Sequence, residues 1–129
     1  MTSRRKILFI NRRGPYGSVY AQEALEVALI GAAFEQEISL ARIDDGVFLL
    51  RKGQDTRNLG MKEFSAAYRA LGDFDVHRVY VERESLAERG MGGEDLVTIA
   101  DGEGGNLVEI ISSAGMSDVI HSHDILLNQ

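Results

Sequence analysis

A chain of 129 residues, 44% hydrophobic and 26% charged, is long enough for one packed domain and has the composition of an ordinary globular protein. Its net charge of -6 and pI near 5.0 give it no general attraction to nucleic acid or anionic lipid. It has no cysteine, which excludes disulfides, thiolate chemistry and any persulfide carried on the chain itself.

Thr2-Ser3-Arg4-Arg5-Lys6 resembles the start of a signal peptide, but the apolar run behind it is too short and leads into turn-forming sequence. That run, Ile7-Leu8-Phe9-Ile10, is apolar without alternation, the pattern of a central parallel strand covered on both faces. Pro15 cannot lie inside it, so the strand ends near Asn11. Ser18 is placed to cap a helix from Val19 to Phe34. On this helix Leu25, Ala28, Leu29 and Ala32 form a face for the sheet. Val19, Ile30 and Ala33 fall on the opposite face among Gln22, Glu23 and Glu26, and Ile30 and Ala33 are apolar surface to spare. Such surface meets either a partner chain or another part of the same chain.

Glu37 to Ile43 reads as the second strand, stopped by Asp44-Asp45-Gly46. Val47 to Lys52 reads as a short apolar helix with an aspartate as N-cap and Gly53 as its stop. Gln54 to Asn58 is a polar loop, and Met61, Phe64, Tyr68 and Leu71 mark an amphipathic helix ended by Gly72. Val76 to Val81 is the third strand, and Ser85-Leu86-Ala87-Glu88 predicts a capping box and a short helix running to Gly90. Leu96 to Ile99 reads as strand four and Asp101 to Gly105 as a loop. Asn106 would then cap a helix carrying Leu107, Ile110, Ile111 and Ala114, broken by Gly115, with another turn over Ser117 to His121. Ile125-Leu126-Leu127 belongs to a final strand. This alternation predicts one α/β domain over residues 1–129, three layers deep (α/β/α), around a mainly parallel sheet of about five strands. No stretch approaches a membrane span.

Several of these segments together resemble a known family. They are Lys6 to Asn11 with Gly14-Pro15-Tyr16-Gly17, the Gly/Ala-rich helix behind them, Asp45-Gly46-Val47-Phe48, and Leu71-Gly72-Asp73-Phe74-Asp75. The chain resembles the DsrE/DsrF-like sulfur-relay family, within its DsrF/TusC branch. The resemblance implies a cytoplasmic, non-catalytic subunit of a heterohexameric sulfurtransferase built from two copies each of three homologous chains. It implies DsrE/TusD-type and DsrH/TusB-type partners and a downstream sulfur acceptor, with no cofactor, no direct nucleic-acid contact and no membrane contact. The complex would pass persulfide sulfur toward tRNA 2-thiouridine or in dissimilatory sulfur oxidation. The relay cysteine would sit on the DsrE/TusD-type sister, which agrees with its absence here. In that setting Val19, Ile30 and Ala33 are the expected interface. A flavodoxin-like small-ligand-binding homo-oligomer is the alternative.

Other candidate sites have plainer explanations beside them. Arg12 and Arg13 follow the first strand, where open α/β sheets bind ligands, and with a helix N-terminus they could hold an anion. Asp44, Asp45, Glu82, Glu84, Asp101 and Glu103 are expected on the same edge and oppose a phosphate there. Gly102, Gly104 and Gly105 lack the spacing of a dinucleotide fingerprint and read as a turn. His121 and His123 would point the same way on an extended segment, as the start of a metal site or as a surface pair, but no third ligand is evident. Asp44 and Asp45 could act as paired carboxylates, and helix capping accounts for them more simply. No catalytic residue is assigned.

Overall fold

A computed structural model describes residues 5–12, 28, 35–51 and 76–128. Five strands form one sheet: β1 (Lys6–Asn11), β2 (Glu37–Arg42), β3 (Arg78–Glu82), β4 (Val108–Ile111) and β5 (Ile125–Asn128). Their order across the sheet is β4-β3-β2-β1-β5, and every pairing is parallel. The expected helices over 19–34 and 61–71 and the polar loop over 54–58 lie outside the described residues, apart from Ala28, which is buried and helical.

The register explains why β1 and β2 read as continuous apolar runs. Phe9 aligns with Leu40, Leu40 with Val79 and Val79 with Val108, so one level of one face is apolar across four strands. One residue on, Ile10 and Ala41 look to the other face. Each face has its own core. Phe9, Ile38, Leu40, Val79 and Val81 pack with Ala28, Val47, Leu50, Leu86 and Ile99. Leu8, Ile10, Ala41 and Ile43 pack with Met116, and Val119 and Ile120 lie against them.

This division follows from the chain path. The steps from β1 to β2, β3 and β4 all move one way across the sheet, and the described connecting residues Ala28, Val47, Leu50, Leu86 and Ile99 all pack on one face, as right-handed crossovers require. The last step returns from β4 to the far side of β1, so its helix, α2 (Ser113–His121), lies on the other face.

Three local expectations need correction. Leu96 to Ile99 is buried and extended but is not a strand of the sheet. Leu96 bridges antiparallel to Arg51, Val97 N–H donates to the Leu50 carbonyl, and Leu107 N–H donates to the Ile99 carbonyl. The fourth strand is instead Val108–Ile111, inside the segment expected to be helical. Leu107, Ile110, Ile111 and Ala114 fall at helical spacing because a short strand runs directly into a helix, so two half-patterns merge. The helix starts one step later. Ser112 is its N-cap, accepting from the Gly115 N–H at 3.1 Å, so Gly115 belongs to the first turn and does not break the helix.

The segment after β2 is a 3-10 helix, Asp44–Leu50, and no side chain caps it: its N-cap position is Ile43. The helix after β3, α1 (Arg83–Glu88), begins before Ser85, so Ser85 is not its cap.

Candidate functional site: the carboxyl edge of the sheet

The carboxyl ends of β1, β2 and β3 bring Asn11, Arg12, Arg42, Asp44, Asp45, Glu82, Glu84 and Ser85 to one edge. Asn11 and Arg42 are register partners and both are fully buried. Arg12 lies just beyond β1 and is exposed; Arg13 lies outside the described residues.

A connected set of hydrogen bonds organises this edge. The Asn11 carbonyl accepts from the Ile43 N–H at 3.1 Å, joining the ends of β1 and β2. The chain then turns sharply: Asp44 has a φ of 51°, and the Gly46 N–H donates to the Ile43 carbonyl at 2.9 Å. Ser85 joins this turn to the end of β3. Its Oγ accepts from the Asp44 N–H at 2.8 Å and donates to Glu82 Oε1 at 2.6 Å. Arg89, just past α1, closes the circuit. Its Nε donates to Asp45 Oδ1 at 2.9 Å and its Nη1 to the Ser85 carbonyl at 3.1 Å. Farther out, Glu84 Oε2 accepts from the Ser113 N–H at 2.9 Å, and this bond holds the Glu84 carboxyl below its ordinary pKa.

This arrangement restrains the chain and does not resemble a nucleophilic centre. The Ser85 hydroxyl is buried and already both donates and accepts. The described histidines lie elsewhere: His77 precedes β3, and His121 and His123 lie at the end of α2. Asp44 and Asp45 sit in the first turn of the 3-10 helix, one held through its backbone by Ser85 and the other through its carboxylate by Arg89.

The expected crowd of acids on one edge is split. Asp101 and Glu103 belong to a turn at the opposite end of the sheet, because Leu96 to Ile99 is not a sheet strand and the turn therefore leads into the start of β4. Arg78, the first residue of β3, donates to the neighbouring Asn106 carbonyl at 3.3 Å. The turn is closed by Asp101 Oδ1, which accepts from the N–H groups of Glu103 (2.7 Å) and Gly105 (2.9 Å), lowering the Asp101 pKa. Gly102 and Gly104 both adopt a φ of 85°, which favours glycine, so the glycine cluster is a tight turn.

His121 ends α2, in keeping with the turn expected over Ser117 to His121, so the extended geometry that would point both rings the same way does not form. His121 Nδ1 lies 2.7 Å from the Ser117 carbonyl and His123 Nδ1 lies 2.6 Å from the Val119 carbonyl. Both rings serve carbonyls of the last turns of α2, a common use of histidine at a helix C-terminus. Among the described residues no three His, Cys, Asp or Glu side chains are grouped to hold a metal ion. Val19, Ile30 and Ala33 lie outside the described residues. The sequence reading missed the Ser85 link and the Arg89–Asp45 pair; Arg89 lay four residues past Ser85, a helical spacing that signals a shared face.

Comparison with known proteins places this geometry in context. The sequence model of the DsrE/DsrF-like family matches residues 5–125. The chain is 48% identical to the intracellular sulfur oxidation protein DsrF of Allochromatium vinosum, over 96% of each chain. It is 33% identical to the TusC homolog of Pseudomonas aeruginosa, covering 93% of this chain and 94% of that one. Among solved structures, the ychN protein from E. coli superposes with a TM-score of 0.76 at 20% identity, covering 98% of this chain and all of the other, which shows a shared fold. Among the described residues no helix is long and apolar enough to cross a membrane.

Proposed function

The chain belongs to the DsrE/DsrF-like family, and from that membership we propose that it is a non-catalytic subunit of a cytoplasmic, heterohexameric sulfur-relay complex. The carrying observation is chemical. A chain 48% identical to a sulfur oxidation protein over almost its whole length contains no cysteine. Persulfide transfer needs a thiolate nucleophile, so this chain can take part only by docking against one that has it. Its partners in this reading are a DsrE/TusD-type subunit bearing the relay cysteine and a DsrH/TusB-type subunit. A downstream acceptor takes the sulfur from the complex. The restrained carboxyl edge suits this role, because a rigid surface can shape a neighbour's reactive loop without supplying a group of its own.

The higher identity to a sulfur oxidation protein than to the TusC homolog favours sulfur oxidation over tRNA thiolation. The apolar strip of Val19, Ile30 and Ala33, read from the sequence pattern, is the proposed subunit contact, and Ile30→Glu should weaken assembly.

The test is co-expression with the two sister subunits, followed by mass measurement and loading with labelled persulfide. The expected result is a mixed complex in which label enters the sister's cysteine, and a loss of transfer when this chain is omitted. A chain that stays apart from its sisters, or that turns over a substrate unaided, overturns the proposal.

A further inference from the structure

Arg12 stands apart from the other charges at the carboxyl edge. It follows β1 directly, where open parallel sheets take up their ligands. It is exposed, and no hydrogen bond or ion pair joins its side chain to another group among the described residues. The acids around it are engaged. Asp45 holds Arg89, and Asp44 also lies in the field of Arg89. Glu82 accepts from Ser85, and Glu84 accepts from the Ser113 N–H. Arg83, exposed at the same edge, adds its attraction to the Ser113 bonds in lowering the pKa of Glu84. The acids expected to oppose an anion here are thus committed to other groups, and the charge left over is positive.

The backbone under that charge is fixed. The preceding residue, Asn11, is fully buried, and its carbonyl accepts from the Ile43 N–H at 3.1 Å. Gly46 packs against the same point, since a Cβ placed on it would lie 3.4 Å from the Arg12 Cα. The turn after β2 therefore seats Arg12 where the ends of β1 and β2 meet.

An exposed cation on a fixed backbone, with no internal partner, suits an anion brought by another chain. A thiolate is such an anion, and so is the persulfide built on it. A neighbouring arginine keeps a thiol ionised near neutral pH. Arginine itself stays charged at any pH the protein meets.

We propose that Arg12 is presented to the relay cysteine of a sister subunit and stabilises its thiolate and persulfide. The inference rests on the sulfur-relay reading above, and it adds a charge to the shaping role given there; the nucleophile still comes from the sister. In the chain, Val19 of the proposed subunit contact follows seven residues after Arg12.

The test uses the complex with both sisters, checked by mass for the presence of this chain. Iodoacetamide alkylates the thiolate and not the thiol, so its rate against pH gives the midpoint of the relay cysteine. Arg12→Gln should raise that midpoint by about 1–3 pH units, the effect of removing a close opposite charge. Below the midpoint this slows alkylation at least ~tenfold. Arg12→Lys keeps the charge and should stay near the parent. Arg83→Gln removes another exposed arginine from the same edge and should leave the midpoint unchanged. An unchanged midpoint in an intact Arg12→Gln complex overturns the assignment of Arg12 and leaves the subunit reading standing. An equal rise with Arg83→Gln also overturns it, because the general field of the edge would then account for the effect. A complex lost with Arg12→Gln but kept with Arg83→Gln overturns it as well, since Arg12 would then serve assembly. Failure of the parent chain to assemble removes the subunit reading, and the role of Arg12 with it.

Discussion

Gly46 lies directly against the carbonyl of Asn11, so closely that a Cβ on Gly46 would overlap that oxygen and come within 2.8 Å of its carbon. The same carbonyl already accepts from the Ile43 N–H. The ends of β1 and β2 are thus held together at a point with no room for a side chain. Backbone cannot swing aside as the tip of a long side chain can.

Gly46→Ala should therefore destabilise the fold by about 1–3 kcal/mol, the usual cost of forcing extra carbon into a filled site. For a domain of this size each kcal/mol lowers the melting temperature by roughly 3–5 °C. Urea and thermal unfolding measure both. An alanine variant as stable as the parent would mean that the two strand ends separate more readily than the geometry implies.

Ser85 carries a second junction. Its removal leaves the half-buried Asp44 N–H without its acceptor, at a backbone already set to a φ of 51°. Ser85→Ala should cost about 0.5–1.5 kcal/mol, the net worth of a typical hydrogen bond, since water can reach part of the freed N–H. Hydrogen exchange should show the Asp44 amide losing protection before β2 itself does. Unchanged exchange at Asp44 would remove Ser85 from this role.

Much of the architecture was legible because it follows from hydrophobic pattern. β1, β2, β3 and β5 are short apolar runs ended by polar turns, and their parallel pairing follows from the segments between them. The fourth strand was illegible because Leu107 to Ala114 satisfies helical spacing while spanning a strand, a cap and the start of a helix. That error also misplaced Asp101 and Glu103, since a loop's edge depends on which strand it serves. The turn expected over Ser117 to His121 is the end of α2, but which atoms the two rings bond there, backbone carbonyls one turn back, is not carried by residue pattern. The Ser85 link was beyond sequence pattern altogether, because it joins residues 41 apart.

Arg89 and Asp45 form a pair whose worth can be isolated. The Arg89 side chain is 20% exposed and Asp45 63%, so solvent screens much of their attraction. A double-mutant cycle with Arg89→Ala and Asp45→Ala should give a coupling of ~0.2–1 kcal/mol that shrinks as salt is added. Arg89→Ala alone should cost more than this coupling, because it also removes the donor to the Ser85 carbonyl. If the single variant costs no more than the coupling itself, the Ser85 contact contributes nothing.

The acid side of the stability profile should report Glu84. Its carboxyl is held below the ordinary value of 4.5, first by the hydrogen bond from the Ser113 N–H. A group whose folded pKa is lowered favours the folded state when ionised. The contribution is present in full above the ordinary value, and it disappears as pH falls through the lowered folded value. Glu84→Gln keeps an oxygen acceptor but loses the charge, so it removes only the ionisation-dependent part. Urea midpoints measured from neutral to acidic pH should place the variant below the parent near neutrality, with the gap closing as Glu84 protonates. A gap that persists unchanged on acidification would mean that the charge of Glu84 contributes nothing, and that α2 is held to α1 by the neutral hydrogen bond alone.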